Sequence, residues 1–268
     1  LIISLEEMTL TRMYFFLGLI LVSLVQFHVA SSRKLSDQYI EIDFDQLQKG
    51  QQVSTAIAKN PRRYIQSCDE AHTSGVYELR LSTKSVPFTA YCDVESLYGK
   101  WLVFQQRVDG SVDFNRSWVE YRDGFGAVGE STEFWLGLEK LYQVTLSGSF
   151  ELAIELKNET GWYGFARYKE FAIFGEAYQY KLYRLGSYSG SIGNKLDNQM
   201  GEFRTYDRYI NGCDTQFSGG WWFYYCQYWC FLNGPYSAND ETGKGIYWSE
   251  WTNAASFSRM MIRHKREG

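Results

Sequence analysis

Apolar and polar residues alternate in several short segments in the middle of the chain. The alternation predicts short strands at residues 74–79 and 87–92, and a longer one at residues 150–156 that keeps one face in solvent. Cys68 and Cys92 are placed to tie the first two strands together. We therefore expect a small disulfide-bound part at the start of the folded region.

A further strand and a helix are predicted between these segments. Residues 101–107 read as a strand that enters a turn at Asp109 and Gly110 and returns over residues 112–114 as a hairpin. Residues 133–141 carry apolar side chains at helical spacing. The centre of the chain is therefore expected to be α+β, with an antiparallel sheet.

The N-terminal segment has the pattern of a signal peptide. Residues 14–25 are apolar and uncharged, Arg12 precedes them, and small residues follow at positions 30–32. The run falls short of the roughly 20 residues that span a bilayer, which argues against the alternatives of a membrane anchor or a buried core helix. We assign residues 1–32 to the signal and the residues before it, and expect a secreted chain that leaves the membrane once the signal is removed.

Two further regions follow the signal. Residues 33–62 are polar and show neither a Gly-X-Y repeat nor a heptad, so we expect a loosely ordered linker. After Pro61 the sequence pattern becomes typical of a globular domain. Residues 63–268 are expected to form one domain with its own core.

Composition excludes several classes of function. A net charge of −4, with no block of basic residues except the short tail at residues 263–266, argues against nucleic-acid binding. The three histidines, His28, His72 and His264, are too scattered for a zinc triad or a Ser-His-Asp site, and no phosphate-binding glycine loop is present, so we expect no enzyme. Aromatic residues make up 18% of the chain. Most should lie in the core, and those left partly exposed are stacking surfaces for sugars or proteins.

The cysteines near the C-terminus enclose an aromatic segment. Cys213 and Cys226 can close a small loop over glycines and large aromatic side chains at positions 218–225. Cys230 is the odd fifth cysteine, interpreted as unpaired and buried, with an intermolecular bridge as the alternative. Cys226 also has the option of pairing with Cys230, which would leave Cys213 unpaired.

Several segments together resemble the fibrinogen C-terminal globular domain, in that family's order from Cys68 to the C-terminus. They lie at residues 74–77, 106–114, 120–126, 133–137, 219–222 and 232–234. The resemblance implies a small disulfide-tied N-terminal part, a central twisted antiparallel sheet with short helices, and a loop-rich C-terminal part that binds ligands. It also implies the disulfides Cys68–Cys92 and Cys213–Cys226.

The family's calcium loop is degenerate in this sequence. In the family, two aspartates of an Asp-x-Asp-Asn-Asp stretch bind the ion, and their positions correspond here to Tyr209 and Asn211. Only Gly212 separates Asn211 from Cys213, so the loop is also shorter. Aligned from the cysteine, Asp207 would be a single carboxylate ligand, whereas calcium takes six to eight oxygens. We therefore expect no calcium and no other cofactor, and expect Asp207 to hydrogen-bond the shortened loop.

The family's pocket for acetyl groups is altered as well. Its tyrosine, histidine and second tyrosine correspond by position to Phe217, Gln227 and roughly Thr242. The apolar wall is kept, but the loss of hydrogen bonds to a buried acetyl oxygen typically costs about 1–3 kcal/mol. A closed pocket and an altered ligand choice remain equal alternatives. The candidate ligand-binding residues are Phe217, Tyr225, Cys226, Gln227, Tyr236, Thr242 and Gly243.

Two functions are consistent with these features. The first, favoured by the resemblance, is a secreted lectin of the innate-immunity type that binds glycans or acetylated groups. The second is an extracellular protein-binding module in signalling or matrix contact, without a sugar pocket. Asn115 and Asn158 begin N-glycosylation sequons, which fits secretion. Expected partners are a glycan or an extracellular protein, with a homo-oligomer as a further option.

Overall fold

The computed structural model describes residues 64–197, 200–208, 218–223, 229–236 and 245–265. Fourteen strands and two α-helices lie in this part of the chain. The strands are β1 Gly75–Leu79, β2 Phe88–Asp93, β3 Trp101–Arg107, β4 Phe125–Gly126, β5 Phe134–Trp135, β6 Phe150–Lys157, β7 Tyr163–Ile173, β8 Leu182–Arg184, β9 Tyr188–Gly190, β10 Phe203–Arg204, β11 Trp221–Trp222, β12 Cys230–Phe231, β13 Tyr247–Trp248 and β14 Phe257–His264. The helices are α1 Trp118–Asp123 and α2 Leu138–Leu146, and short 3-10 turns lie at Cys68–Glu70, Ser96–Tyr98 and Glu176–Tyr178.

Ten of these strands form one antiparallel sheet in the order β1-β2-β3-β14-β6-β7-β8. β5 pairs with the C-terminal end of β3 and with β4, and β9 pairs with β7. β14, the last strand of the chain, lies between β3 and β6. Two small ladders, β10-β11 and β12-β13, build the C-terminal part. This arrangement confirms the predicted α+β class and the antiparallel centre.

The first two strands are tied as the sequence indicates. The Cys68–Cys92 disulfide joins a 3-10 turn to β2, with 5.4 Å between the two Cα atoms. Gly75 of β1 lies opposite Cys92 in the ladder, so the disulfide closes beside the hairpin that it was expected to tie. In the loop-entropy model such a closure contributes on the order of 3 kcal/mol.

Neither face of β6 is exposed to solvent, which corrects the expectation that this strand keeps one face in solvent. Its alternation is real, but Glu151 and Glu155 are each only 4% exposed. Glu151 binds Arg263 of β14 and lies 2.6 Å from Arg167 of β7, while Glu155 accepts a hydrogen bond of 2.9 Å from Arg259 Nε. Because these arginines neutralise the carboxylates, the polar side of the strand can be covered by loops.

That covered side of the sheet holds a second, smaller core. Its buried members are Tyr91, Trp101, Val103, Phe134, Ala153 and Met261, with Leu97 and Val128 packed against them from neighbouring loops. Two guanidinium groups lie over the Trp101 ring, with the Arg263 Cζ atom 4.2 Å and the Arg167 Cζ atom 5.9 Å from its centroid. Cations over an indole face are stabilising, so the ion pairs and the ring support each other.

Two other predicted elements, the hairpin return and the helix, differ from the structure. The hairpin return at residues 112–114 does not form a strand, and β3 pairs with β2, β5 and β14 instead. The helix expected over residues 133–141 begins only at Leu138, after the short strand β5. Gly137, at φ 115°, makes the turn between them. A Cβ at this position would lie 2.8 Å from the main chain of Asp123, so glycine is the residue that fits here. A periodic apolar run of nine positions does not show whether its first residues form a short strand and a turn or the first turn of a helix.

We expect Glu151→Gln to destabilise the domain by about 3–5 kcal/mol, because it leaves Arg263 and Arg167 without their buried counter-charge. Urea denaturation followed by fluorescence measures this free energy of unfolding. The matched control is Arg116→Gln, which removes an ion pair to Glu120 whose side chains are 36% and 40% exposed and should cost about 0.5 kcal/mol. Equal costs for the two variants would contradict the structural role assigned to Glu151.

Candidate recognition site

The aromatic segment of the C-terminal part forms a scaffold. Trp221 and Trp222 of β11 and Trp248 of β13 are all completely buried. The Nε1 of Trp222 donates to the carbonyl oxygen of Tyr180 at 2.9 Å, and that of Trp248 to the carbonyl oxygen of Ile192 at 2.8 Å. Buried indoles satisfy their N–H groups in this way, so these rings hold the loops and offer no surface to a ligand.

Two glycines let the main chain approach this scaffold closely. At Gly219, with φ 155°, a Cβ would lie 2.2 Å from the carbonyl oxygen of Asn233. At Gly220 it would lie 2.7 Å from the rings of Phe203 and Tyr121. Asn233 Nδ2 donates to the Gly220 carbonyl oxygen at 2.9 Å, which joins the two segments of the region. Only a residue without a side chain fits at either position.

Buried polar side chains of β3 hold the next segment. Gln105 Nε2 donates to the carbonyl oxygen of Leu232 at 2.9 Å, and Gln105 Oε1 accepts from Ser258 Oγ of β14 at 3.1 Å. Arg107 donates through NH1 to the carbonyl oxygen of Gly234 at 2.6 Å. Burial lowers the pKa of Arg107 and the neighbouring Glu133 opposes this shift, so the guanidinium stays charged and the segment is held by charge-assisted bonds.

Glu133 completes this polar network. It is 1% exposed, and its Oε1 accepts from the main-chain N–H groups of Val108 at 2.8 Å and Gly110 at 2.9 Å. Its Oε2 accepts from Val112 N at 2.9 Å. The chain after β3 therefore wraps around a buried carboxylate, which is the physical reason why residues 112–114 do not return as a strand.

Tyr236, one of the predicted pocket residues, ties this turn to the last strand. Its hydroxyl lies 2.9 Å from the carbonyl oxygen of Val108 and 2.8 Å from that of Ser256. The ring packs on Gly110, where a Cβ would lie 2.8 Å from Cδ1. Burial raises the pKa of Tyr236 above its ordinary value, so the hydroxyl stays a donor to these carbonyls.

Trp229 and Cys230 lie next to the predicted pocket segment. The Trp229 side chain is 43% exposed, and the main-chain carbonyl of Trp229 accepts from Ser249 N at 2.8 Å. Cys230 is fully buried, and burial raises its pKa well above the ordinary value. Trp229 was not among the residues singled out from sequence. The local pattern does not mark it as exposed, because the two residues that follow it, Cys230 and Phe231 of β12, are both buried.

Asp207 hydrogen-bonds the main chain of helix α1. Its Oδ1 accepts from Trp118 N at 2.9 Å and from Thr205 Oγ1 at 2.7 Å. The next residue, Arg208, lies over the Trp118 ring with its Cζ atom 4.1 Å from the centroid. The segment is therefore fastened to the start of α1 through side chains of the chain itself. Within the described ranges, no three side chains of the metal-ligating kinds lie together.

The remaining predicted site residues lie outside the described part of the chain. They are Tyr209, Asn211, Cys213, Phe217, Tyr225, Cys226, Gln227, Thr242 and Gly243. The pocket, the altered calcium loop and the pairing of the last three cysteines therefore stay predictions. What the structure shows is the scaffold on either side of them.

Comparison with known proteins agrees with this architecture. Residues 63–265 match the model of the family described as "Fibrinogen beta and gamma chains, C-terminal globular domain". The chain belongs to this family. Human Ficolin-3 is 40% identical to this fibrinogen C-terminal domain protein over 206 residues, which cover 72% of this chain and 67% of the ficolin.

Solved structures of family members have the same fold. The fibrinogen-like globe domain of human ANGPTL2 matches with a TM-score of 0.69 and 32% identity, over 75% of this chain and 99% of that one. Lamprey fibrin D-dimer, solved in complex with the peptide Gly-His-Arg-Pro-amide, matches with a TM-score of 0.69 and 26% identity, over 97% of this chain and 88% of that one. The fibrinogen C-terminal domain of this chain is thus a binding and recognition module. No helix in its described residues has the length and apolar character needed to cross a membrane.

We expect Glu133→Gln to cost about 3–5 kcal/mol, because it removes the counter-charge of Arg107 and places an amide donor against a main-chain N–H group. Denaturation measures the loss, and hydrogen exchange should show faster exchange of the amides at residues 232–234. Asp109→Asn, at an exposed position of the same turn, is the control and should leave both measurements unchanged. Protected amides at residues 232–234 in the Glu133 variant would contradict the coupling.

Asp207→Ala should lower stability by about 1 kcal/mol, since it removes the acceptor for the first N–H group of α1. The loss should be the same in calcium and in EDTA, measured by thermal unfolding. A loss that appears only when calcium is present would show that Asp207 serves the ion.

Proposed function

We propose that this chain is a secreted recognition protein that binds glycans or acetylated groups through its C-terminal loops. One observation carries the proposal. The segments at residues 218–223 and 229–236, which flank predicted pocket residues in sequence, are joined to each other and to β3 by buried hydrogen bonds, while Trp229, the first residue of the second segment, is half-exposed. A rigid aromatic surface suits the apolar face of a sugar, because little conformational entropy is lost on binding.

Similarity to Ficolin-3 supports this choice over a purely structural module. The pocket's polar residues are replaced by Phe217 and Gln227, so the proposed ligand contacts are a ring, an amide and main-chain groups in place of an imidazole and a phenol. We propose that binding needs no calcium and that the protein is secreted and has no catalytic role.

The second candidate function is recognition of an extracellular protein without a sugar pocket. The observation that favours it is the lamprey fibrin structure, where this fold accompanies a short peptide ligand. The same rigid segments would then hold a peptide, and Trp229 would be its aromatic anchor. Association of several copies would raise the avidity of either kind of contact.

We expect the protein to be retained on an N-acetylated-sugar resin and to elute with free N-acetylated sugar. Retention should be unchanged by EDTA. Trp229→Ala should reduce retention at least about tenfold, since a well-packed aromatic anchor commonly contributes more than 1.4 kcal/mol to binding.

Tyr98→Ala is the matched control, because Tyr98 is also a surface aromatic residue, 82% exposed, and belongs to the 3-10 turn Ser96–Tyr98, outside the C-terminal loops. It should bind like the unchanged protein. Absence of retention on this resin and on a glycan array would overturn the sugar proposal and favour the protein-binding alternative.

A further inference from the structure

The hairpin between β6 and β7 closes with Asn158 opposite Trp162. Asn158 N donates to the carbonyl oxygen of Trp162 at 3.0 Å, and Gly161 N donates to that of Asn158 at 3.0 Å. The ladder pairs Lys157 with Tyr163 immediately before this turn. Side chains of directly opposite residues lie on the same face of a hairpin, with Cβ atoms about 5 Å apart. The turn therefore brings Asn158 and Trp162 next to each other, and the Asn158 side chain accepts a hydrogen bond from the main-chain N–H of Trp162 at 2.9 Å.

The amide of Asn158 is held by its oxygen alone. Oδ1 accepts from Thr160 N at 3.1 Å, Thr160 Oγ1 at 2.9 Å and Trp162 N at 2.9 Å. Main-chain N–H groups only donate, so the oxygen must be the atom that faces them. Nδ2 makes no hydrogen bond to any residue in the described part of the chain. A substituent on Nδ2 would therefore leave all three bonds in place.

The turn itself is fastened to the domain. Glu159 Oε1 accepts from Ala254 N at 3.2 Å and from Asn253 N at 3.3 Å. Ser256 Oγ donates to the carbonyl oxygen of Asn158 at 2.8 Å. These bonds fix the orientation of Asn158 before anything is attached to it, so a group on Nδ2 would leave the hairpin in a defined direction.

Trp162 is 75% exposed, which is unusual for the largest apolar side chain. Asn158, Glu159 and Thr160 form an Asn-X-Thr sequon directly beside it. We propose that Asn158 carries an Asn-linked glycan and that Trp162 holds its first N-acetylhexosamine by stacking against the sugar's C–H face. The indole face is electron-rich and apolar, and it matches the polarised C–H bonds of a pyranose. The inference rests on the secretion assumed in the proposed function.

The attachment uses the ordinary donor of the secretory pathway, an oligosaccharide linked to a lipid diphosphate. A bond forms between Asn158 Nδ2 and C1 of the first sugar. The bond between C1 and the diphosphate oxygen breaks, the lipid diphosphate leaves, and Nδ2 loses one proton.

Asn115, in the other sequon, provides an internal comparison. It is exposed, but its sequence neighbours Phe114 and Trp118 are buried. The hydroxyl of Ser117 donates to Glu120 Oε2 at 2.7 Å in the capping box of α1. A glycan on Asn115 would have neither of these neighbouring rings to stack on, so Asn115→Gln is the matched control.

The first experiment locates the glycan. The full chain is expressed in eukaryotic cells, recovered from the medium, and its glycopeptides are analysed by mass spectrometry. We expect a glycan on Asn158 that persists in Asn115→Gln and is lost in Asn158→Gln. Secreted protein with an unmodified Asn158, or a chain that is not secreted at all, overturns the proposal.

The second experiment tests the stacking. In the Asn115→Gln background, removal of the glycan by an amidase should lower Tm by about 2–4 °C, a shift typical of small stabilising contacts in a domain of this size. Adding Trp162→Ala should abolish this drop, whereas adding Tyr98→Ala should not. The amidase converts Asn158 to aspartate in every background, so the difference between backgrounds isolates the ring.

An equal drop in the Trp162→Ala background overturns the stacking. Neither the glycopeptide analysis nor the Tm comparison uses a sugar resin or array. Their results therefore do not depend on whether the protein binds free glycans.

Discussion

The C-terminal half of the domain depends on one buried charge pair, the Glu133 carboxylate and the Arg107 guanidinium. Both side chains are at most 1% exposed, so their charges are stabilised by each other and by main-chain groups. Glu133 collects N–H groups of the turn after β3, and Arg107 donates to carbonyl oxygens of residues 232 and 234. A buried charge without such bonds would cost several kcal/mol, so the turn and the loop segment are locked together. This coupling fixes residues 232 and 234, which follow Trp229 in the same segment, to the turn after β3.

The same network reaches the last strand, because Gln105 bonds both Leu232 and Ser258. β14 lies in the middle of the sheet, and its arginines neutralise Glu151 and Glu155 on the neighbouring strand. The sheet therefore gains its central strand only from residues 257–264, far in sequence from β3 and β6. The loops that flank the predicted pocket are stabilised by contacts more than 100 residues away in sequence, such as the one between Gln105 and Leu232.

Local patterns were enough to predict β1, β2 and β3 and the α+β class, because alternation and turn residues are properties of short segments. They failed where the local structure or the exposure depends on a side chain that is distant in sequence. The turn at residues 108–112 depends on Glu133, and the covered face of β6 depends on arginines of β7 and β14. In the same way, the family resemblance suggested that the aromatic segment at residues 221–222 belongs to a binding surface, whereas both indoles are core. Exposure depends on tertiary packing, which residue type alone does not determine.

Eight of the nine tryptophans separate into two functional kinds once their burial is known, and Trp251 is half-buried against the main core. Trp101, Trp118, Trp135, Trp221, Trp222 and Trp248 are each less than 2% exposed and build the cores. Trp162 and Trp229 are 75% and 43% exposed, and leaving such rings in water forgoes the free energy of burying them. Trp162 lies on a hairpin fastened by its own side chains, beside an amide open to modification. Trp229 lies at the edge of a rigid loop scaffold, beside the residues predicted to form the pocket. A covalently attached sugar would cover the first ring permanently, whereas an incoming ligand would cover the second reversibly. For that reason our proposal places recognition at Trp229 and not at Trp162.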